Sequence, residues 1–90
     1  MKQTQTQTKK LASNMTEVTS RGAKVLISYE TPVAIWREGG PVATEDRYSQ
    51  TTQKHITKWL RIHRSGLTSS NVPRISGDAF RFLCKHYEIG

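Results

Sequence analysis

The stretch Lys24-Val25-Leu26-Ile27-Ser28-Tyr29-Glu30-Thr31-Pro32-Val33-Ala34-Ile35-Trp36-Arg37 alternates in parity. Val25, Ile27, Tyr29, Thr31, Val33 and Ile35 share one side, and Leu26, Ser28, Glu30, Pro32, Ala34 and Trp36 share the other. A run this rich in β-branched residues with this period is a strand, because successive strand side chains point to opposite faces. Pro32 interrupts it. A proline has no hydrogen to give to a ladder, so the segment is either one bent edge strand or two short strands joined near Glu30-Thr31. Downstream, Glu38-Gly39-Gly40-Pro41 supplies a turn, and Val42 to Thr44 can return as a short strand with Pro41 at its first position.

Beyond Tyr48 the period changes to that of a helix. Wound at about 100° per residue, Thr52, Ile56, Trp59, Leu60 and His63 fall within an arc of about 100°, and Lys54, Lys58 and Arg61 fall opposite within about 60°. The segment from Gln50 to Arg64 is therefore an amphipathic helix with a basic back. Ser49, Thr51 and Thr52 can each cap its start, where exposed amides attract anions. A second helix runs from Gly77 to about Tyr87. Ser76 is its expected N-cap, Asp78 places negative charge in its first turn, and Ile75 can staple against Phe80. Phe80, Leu83, Cys84 and Tyr87 form its apolar stripe, and Phe82 lies off it. The connection from Ser65 to Arg74 reads as loop, with Val72-Pro73 biased toward extended backbone.

The N-terminal segment reads differently. It contains an alternating Gln-Thr tract from Gln3 to Thr8, the pair Lys9-Lys10, and only Leu11, Ala12, Met15 and Val18 as apolar residues up to Ser20. So little burial does not offset chain entropy, and residues 1–21 are expected to be a disordered basic and polar tail. Residues 22–90 then form a single small α+β domain: a small antiparallel sheet of two or three strands packed by two amphipathic helices. A core of this size leaves only a few kcal/mol of net stability, for which homodimerisation is a possible remedy.

Composition limits the function. The chain of 90 residues has 14 Lys and Arg against 7 Asp and Glu, a formal charge of +7, which favours nucleic acid, DNA or RNA, acidic host proteins or anionic membrane surfaces as partners. The single cysteine, Cys84, allows no internal disulfide, and no apolar run suits a signal peptide or a membrane span. A cytoplasmic protein with no membrane partner is expected.

Catalytic and metal constellations fail on spacing. Cys84 and His86 are two residues apart on a helix, so they point away from each other and cannot share a proton. His55 and His63 stand about 12 Å apart along a helix axis, too far for one ion. Glu45 and Asp46 are adjacent loop acids that favour the following helix start, and acid–base catalysis needs a cleft that a chain this small is not expected to form. Gly39-Gly40 is followed by neither a helix nor Lys-Ser, so it is no phosphate loop. No enzyme, metal or cofactor is expected.

What remains is the basic set. Lys54, Lys58, Arg61 and Arg64 can follow a phosphate backbone, and Ser49, Thr51 and Thr52 add donors at the helix start. Arg21, Lys24 and Arg74 are possible neighbours, and Tyr48 and Ile62 can give apolar contact. A helix-turn-helix is disfavoured, because about a dozen residues separate the two helices rather than three or four. Tyr29 and Trp36 lie on opposite parities and cannot form one stacking surface on a strand.

Ser28-Tyr29-Glu30-Thr31-Pro32-Val33-Ala34, followed by Tyr48-Ser49-Gln50-Thr51-Thr52-Gln53-Lys54-His55-Ile56, resembles a group of short uncharacterised proteins of phages and other mobile elements. Their pattern is S-Y-x-T-x-V-A, a spacer, then Y-S-x-T-T-x-x-H-I. The likeness covers about residues 25 to 60. It implies a phage accessory protein that binds nucleic acid or blocks a host protein as an inhibitor or adaptor, and it carries no functional residue over.

Overall fold

The computed structural model describes residues 7–46 and 49–87. Tyr48, expected as an apolar contact, and the start of the Gln-Thr tract lie outside the described residues. Eight elements follow in order: β1 (Gln7–Ala12), β2 (Met15–Ser20), β3 (Ala23–Ser28), β4 (Thr31–Arg37), β5 (Gly40–Thr44), α1 (Gln50–Ile62), β6 (Arg74–Ile75) and α2 (Gly77–His86).

The expected small sheet with a disordered tail is corrected on both counts. The sheet has six strands in the order β1-β2-β3-β4-β5-β6, with β1 to β5 antiparallel and β6 parallel to β5. Residues from Gln7 to Ser20, assigned to the tail, form its first two strands. Their apolar content, taken in isolation, is too small to offset chain entropy. A strand added to an existing sheet gains ladder hydrogen bonds along its length and needs only one or two side chains in the core. Met15, fully buried, supplies one, and the threonines of β2 suit a pleated surface.

The alternating run of residues 24–37 is a hairpin, not a bent edge strand. Ser28 faces Thr31, which leaves Tyr29 and Glu30 as a two-residue turn. Pro32 lies beside a bulge: Leu26 pairs with Ala34 and Ile27 with Pro32, so Val33 is the extra residue on β4. The missing amide hydrogen thus falls where the ladder is already interrupted, which lets a proline sit in an interior strand. Val33 and Ala34 both join the core under α1.

Cross-strand register sorts the two faces. Glu17, Leu26, Ala34 and Ala43 form one row, with Lys9 at its β1 end and Arg74 at its β6 end. Over this face lies α1, whose Ile56, Trp59 and Leu60 are fully buried with Met15, Leu26 and Val33. Val18, Val25, Ile35 and Val42 form the adjacent row on the opposite face. There α2 seats Phe80 and Cys84, with Ile75, Leu83 and Tyr87 at the margin. Each helix therefore has its own face and its own core. Burying one such side chain stabilises the fold by about 1.5–3 kcal/mol, and Trp59 carries the largest share of apolar surface beneath α1.

Both helices start as their sequences indicate. Ser49 Oγ accepts from Thr52 N, and Ser76 Oγ accepts from Ala79 N. The loop from α1 to β6 is tied down by Arg74. Its guanidinium donates to the carbonyls of Thr44 and Ser69 and to Gln53 Oε1, at 2.7 to 2.9 Å.

Candidate nucleic-acid interface

α1 turns Thr52, Ile56, Trp59 and Leu60 inward, which fixes what it shows outward. Lys54, Lys58, Arg61 and Arg64 are all exposed, as are Ser49 and Thr51. The side chains of these four cations have no hydrogen bond or ion pair among the described residues. The sequence has no Asp or Glu between Asp46 and Asp78, while Arg47, Lys54, Lys58, Arg61, Arg64 and Arg74 all fall in that interval. Three of the acids are engaged elsewhere, while Glu30, Glu38 and Glu45 are exposed on the turns and connections of the sheet. Asp46 and Asp78 pair with Arg81 of α2, and Glu17 lies beneath α1.

Two of the expected contact residues do not join this surface. Thr52 is buried, and its Oγ1 lies 3.0 Å from Ser28 Oγ, so its hydroxyl serves the helix–sheet contact and not a phosphate. Arg74, named as a neighbour, is consumed by the loop it holds, and burial lowers its pKa. Lys24 is exposed on the sheet face that α1 covers, in the row of Thr19 and Trp36 beyond the Glu17 row. Ser49 keeps its exposure, with its hydroxyl committed to the cap.

The start of α1 meets the β3–β4 turn in a polar cluster. Ser28 Oγ lies 2.8 Å from His55 Nδ1 as well as 3.0 Å from Thr52 Oγ1, and Ser49 donates to Thr52 at 3.4 Å. A consistent direction runs from Ser49 through Thr52 and Ser28 to Nδ1, leaving the hydrogen of a neutral His55 ring on Nε2. Burial, with the charge of Lys58 one turn away, holds the His55 pKa below its ordinary value, as that neutral state requires. Nε2 has no partner among the described residues. The ring of Tyr29 lies beside that of His55, with centroids 5.7 Å apart and planes tilted by 31°.

On strand parity Tyr29 has no stacking partner. The turn removes it from the strand, and its φ of 50° is left-handed. The period alone held no signal for this, since a Tyr-Glu pair is an unusual occupant of such a turn. Ser28 and Tyr29 from one half of the quoted pattern and Ser49, Thr52 and His55 from the other half meet in space here.

At the other end of α1, Glu17 Oε1 accepts from Trp59 Nε1 at 2.8 Å and lies 2.5 Å from His63 Nε2. Trp36 closes this group, with its ring centroid 6.2 Å from Trp59 and 5.6 Å from His63. His63 is thus a hydrogen-bonded residue of the packed side, as its place on the stripe indicates. Cys84 is a core thiol whose pKa burial pushes up to about 11, which leaves it poorly nucleophilic. Among the described residues no group of three or more His, Cys, Asp or Glu could hold a metal ion, and no helix is long and apolar enough to cross a membrane.

No curated protein and no solved structure matches the chain. A family model does match, over residues 1–73, a span that takes in β1 to β5 and α1 and stops just before β6. The chain belongs to that family, a family of unknown function designated DUF8033.

Proposed function

We propose that this chain is a small, non-enzymatic, phage-type accessory protein of the cytoplasm that binds nucleic acid through the outer side of α1, mainly by phosphate contacts. The observation that carries this reading is charge separation: Lys54, Lys58, Arg61 and Arg64 stand exposed on and just beyond one helix, with no carboxylate in that stretch to pair with them. A helix face that serves only solubility ordinarily mixes both signs and gains from Glu–Lys pairs one turn apart. This face has none. Cations left free of partners can instead neutralise phosphates and release counterions, which gives affinity with little base preference. The resemblance to short proteins of phages supports the accessory role.

The test is charge reversal. In a fluorescence-anisotropy titration, Lys54→Glu with Lys58→Glu should weaken binding of duplex and single-stranded oligonucleotides alike, with the melting temperature of the protein unchanged. A folded variant that binds both as well as the parent would sink this reading. The same cations would then be left to an acidic surface on a host protein, and a partner retained from lysate after nuclease digestion would favour that inhibitor or adaptor role.

A further inference from the structure

Resting on that reading and narrowing its ligand, we propose that Tyr29 and His55 form a base-stacking platform at the edge of the basic face. The ligand is then single-stranded nucleic acid, with an unpaired base on the two rings and its flanking phosphates on Lys58 and Lys54.

Three observations converge on this. The first is backbone strain without repayment by burial. Tyr29 and Glu30 occupy a two-residue turn with φ of 50° and 71°, a geometry suited to Asn-Gly, and a non-glycine residue there is destabilised relative to glycine. A strained aromatic usually recovers that loss by packing, yet Tyr29 remains 49 % exposed. The turn is nevertheless fixed, because Tyr29 N donates to the carbonyl of Asn14 at 3.1 Å and Ser28 is anchored beneath α1. Strain held in place at an exposed ring is a mark of a functional position.

The second observation is that the partner ring is held in one orientation. Ser28 Oγ fixes His55 through Nδ1, and Ser28 is itself buried and bonded to the buried Thr52. His55 therefore presents a set plane beside Tyr29 and a free Nε2. The third is position. His55 and Lys58 are one turn apart on α1, Lys54 adjoins His55 in sequence, and Thr51, His55, Lys58 and Ile62 follow helical spacing along one flank. An aromatic face next to a line of cations is the arrangement that holds single strands, where bases expose their faces and phosphates lie between them. Duplex bases already stack on one another and gain nothing from such a platform.

The experiment compares full-length parent, Tyr29→Gly, Tyr29→Trp and the Lys54→Glu/Lys58→Glu variant by anisotropy. The probes are labelled oligo(dT), oligo(U) and a DNA duplex, each of about twelve nucleotides. Tyr29→Gly removes the ring and relieves the turn, so its melting temperature should hold or rise while single-strand affinity falls by roughly 5- to 100-fold and duplex affinity stays put. Tyr29→Trp should retain single-strand binding. A Tyr29→Gly protein that binds single strands as the parent does overturns the platform, and if charge reversal still weakens every probe, the basic-face reading stands without it. A parent that binds no oligonucleotide overturns both. Loss on oligo(dT) and oligo(U) together supports a platform for single strands in general, and loss on one alone assigns the ligand to that strand's combination of sugar and base, deoxyribose with thymine or ribose with uracil.

Discussion

Glu17 ties β2 to α1 through two side-chain contacts, with Trp59 and with His63. It lies 7 % exposed in the row beneath α1, where burial raises a carboxyl pKa. Hydrogen bonds from His63 and Trp59, with the charges of His63 and Lys24, outweigh that burial and hold its pKa below the ordinary 4.5. A carboxyl held low takes up its proton more readily in the unfolded chain. Its stabilising contribution is therefore complete above pH 4.5 and is lost as the pH falls through the folded value. Glu17→Ala should cost about 2–4 kcal/mol at neutral pH, because it leaves Trp59 Nε1 buried without an acceptor. Glu17→Gln keeps an acceptor for that indole and should cost less. Urea titrations from neutral pH downward would check both statements, and the gap between parent and Glu17→Gln should narrow below pH 4.5. A gap that widens on acidification would mean that the carboxylate is opposed, not supported, by its neighbours.

At the scale of elements, β1 and β2 belong to the folded unit. Deleting residues 1–20 should abolish cooperative unfolding, since it strips Met15 from the core under α1, removes the acceptor of Trp59 and leaves β3 as a bare edge. Met15→Ala alone should cost about 2–5 kcal/mol, read as a lower urea midpoint at constant slope. A truncated chain that unfolds as sharply as the parent would show that the two strands merely decorate the sheet. These elements were illegible for a definite reason. α1 and α2 announce themselves because a helix closes its hydrogen bonds within its own sequence, so caps and stripe suffice, and Trp59 and Phe80 are central to their stripes and buried as that placement requires. A strand closes its bonds on a neighbour. Thr16, Glu17 and Thr19 look like coil until the pairing partner is known, and the carboxylate of Glu17 looks like surface until Trp59 and His63 are seen above it. The site divides in the same way. Lys54, Lys58, Arg61 and Arg64 could be read from the helical period, whereas Tyr29 beside His55 depends on a turn and a tertiary contact between segments far apart in the chain.

Across the whole molecule, charge is sorted by face. α2 and the β5–α1 connection hold the ion pairs of Arg81 with Asp46 and Asp78, while α1 carries cations alone. A net charge of +7 spread evenly would attract polyanions weakly from every side, and its effect would fade within about 10 Å at ordinary salt. The four cations on and just beyond α1, with no acid among them, can instead meet several phosphates at once. With roughly three to five phosphates neutralised, the logarithm of affinity should fall with the logarithm of salt concentration at a slope of about −3 to −4. Replacing Lys54 and Lys58 by Gln removes two contacts without introducing repulsion, so the slope should become shallower by about 1–2, with affinity at low salt reduced most. Titrating oligonucleotide into parent and variant at several salt concentrations measures this directly. An unchanged slope would place the phosphate contacts elsewhere on the molecule, with Lys9, Lys10 and Lys24 at the β1 side of the sheet as the next cations to replace.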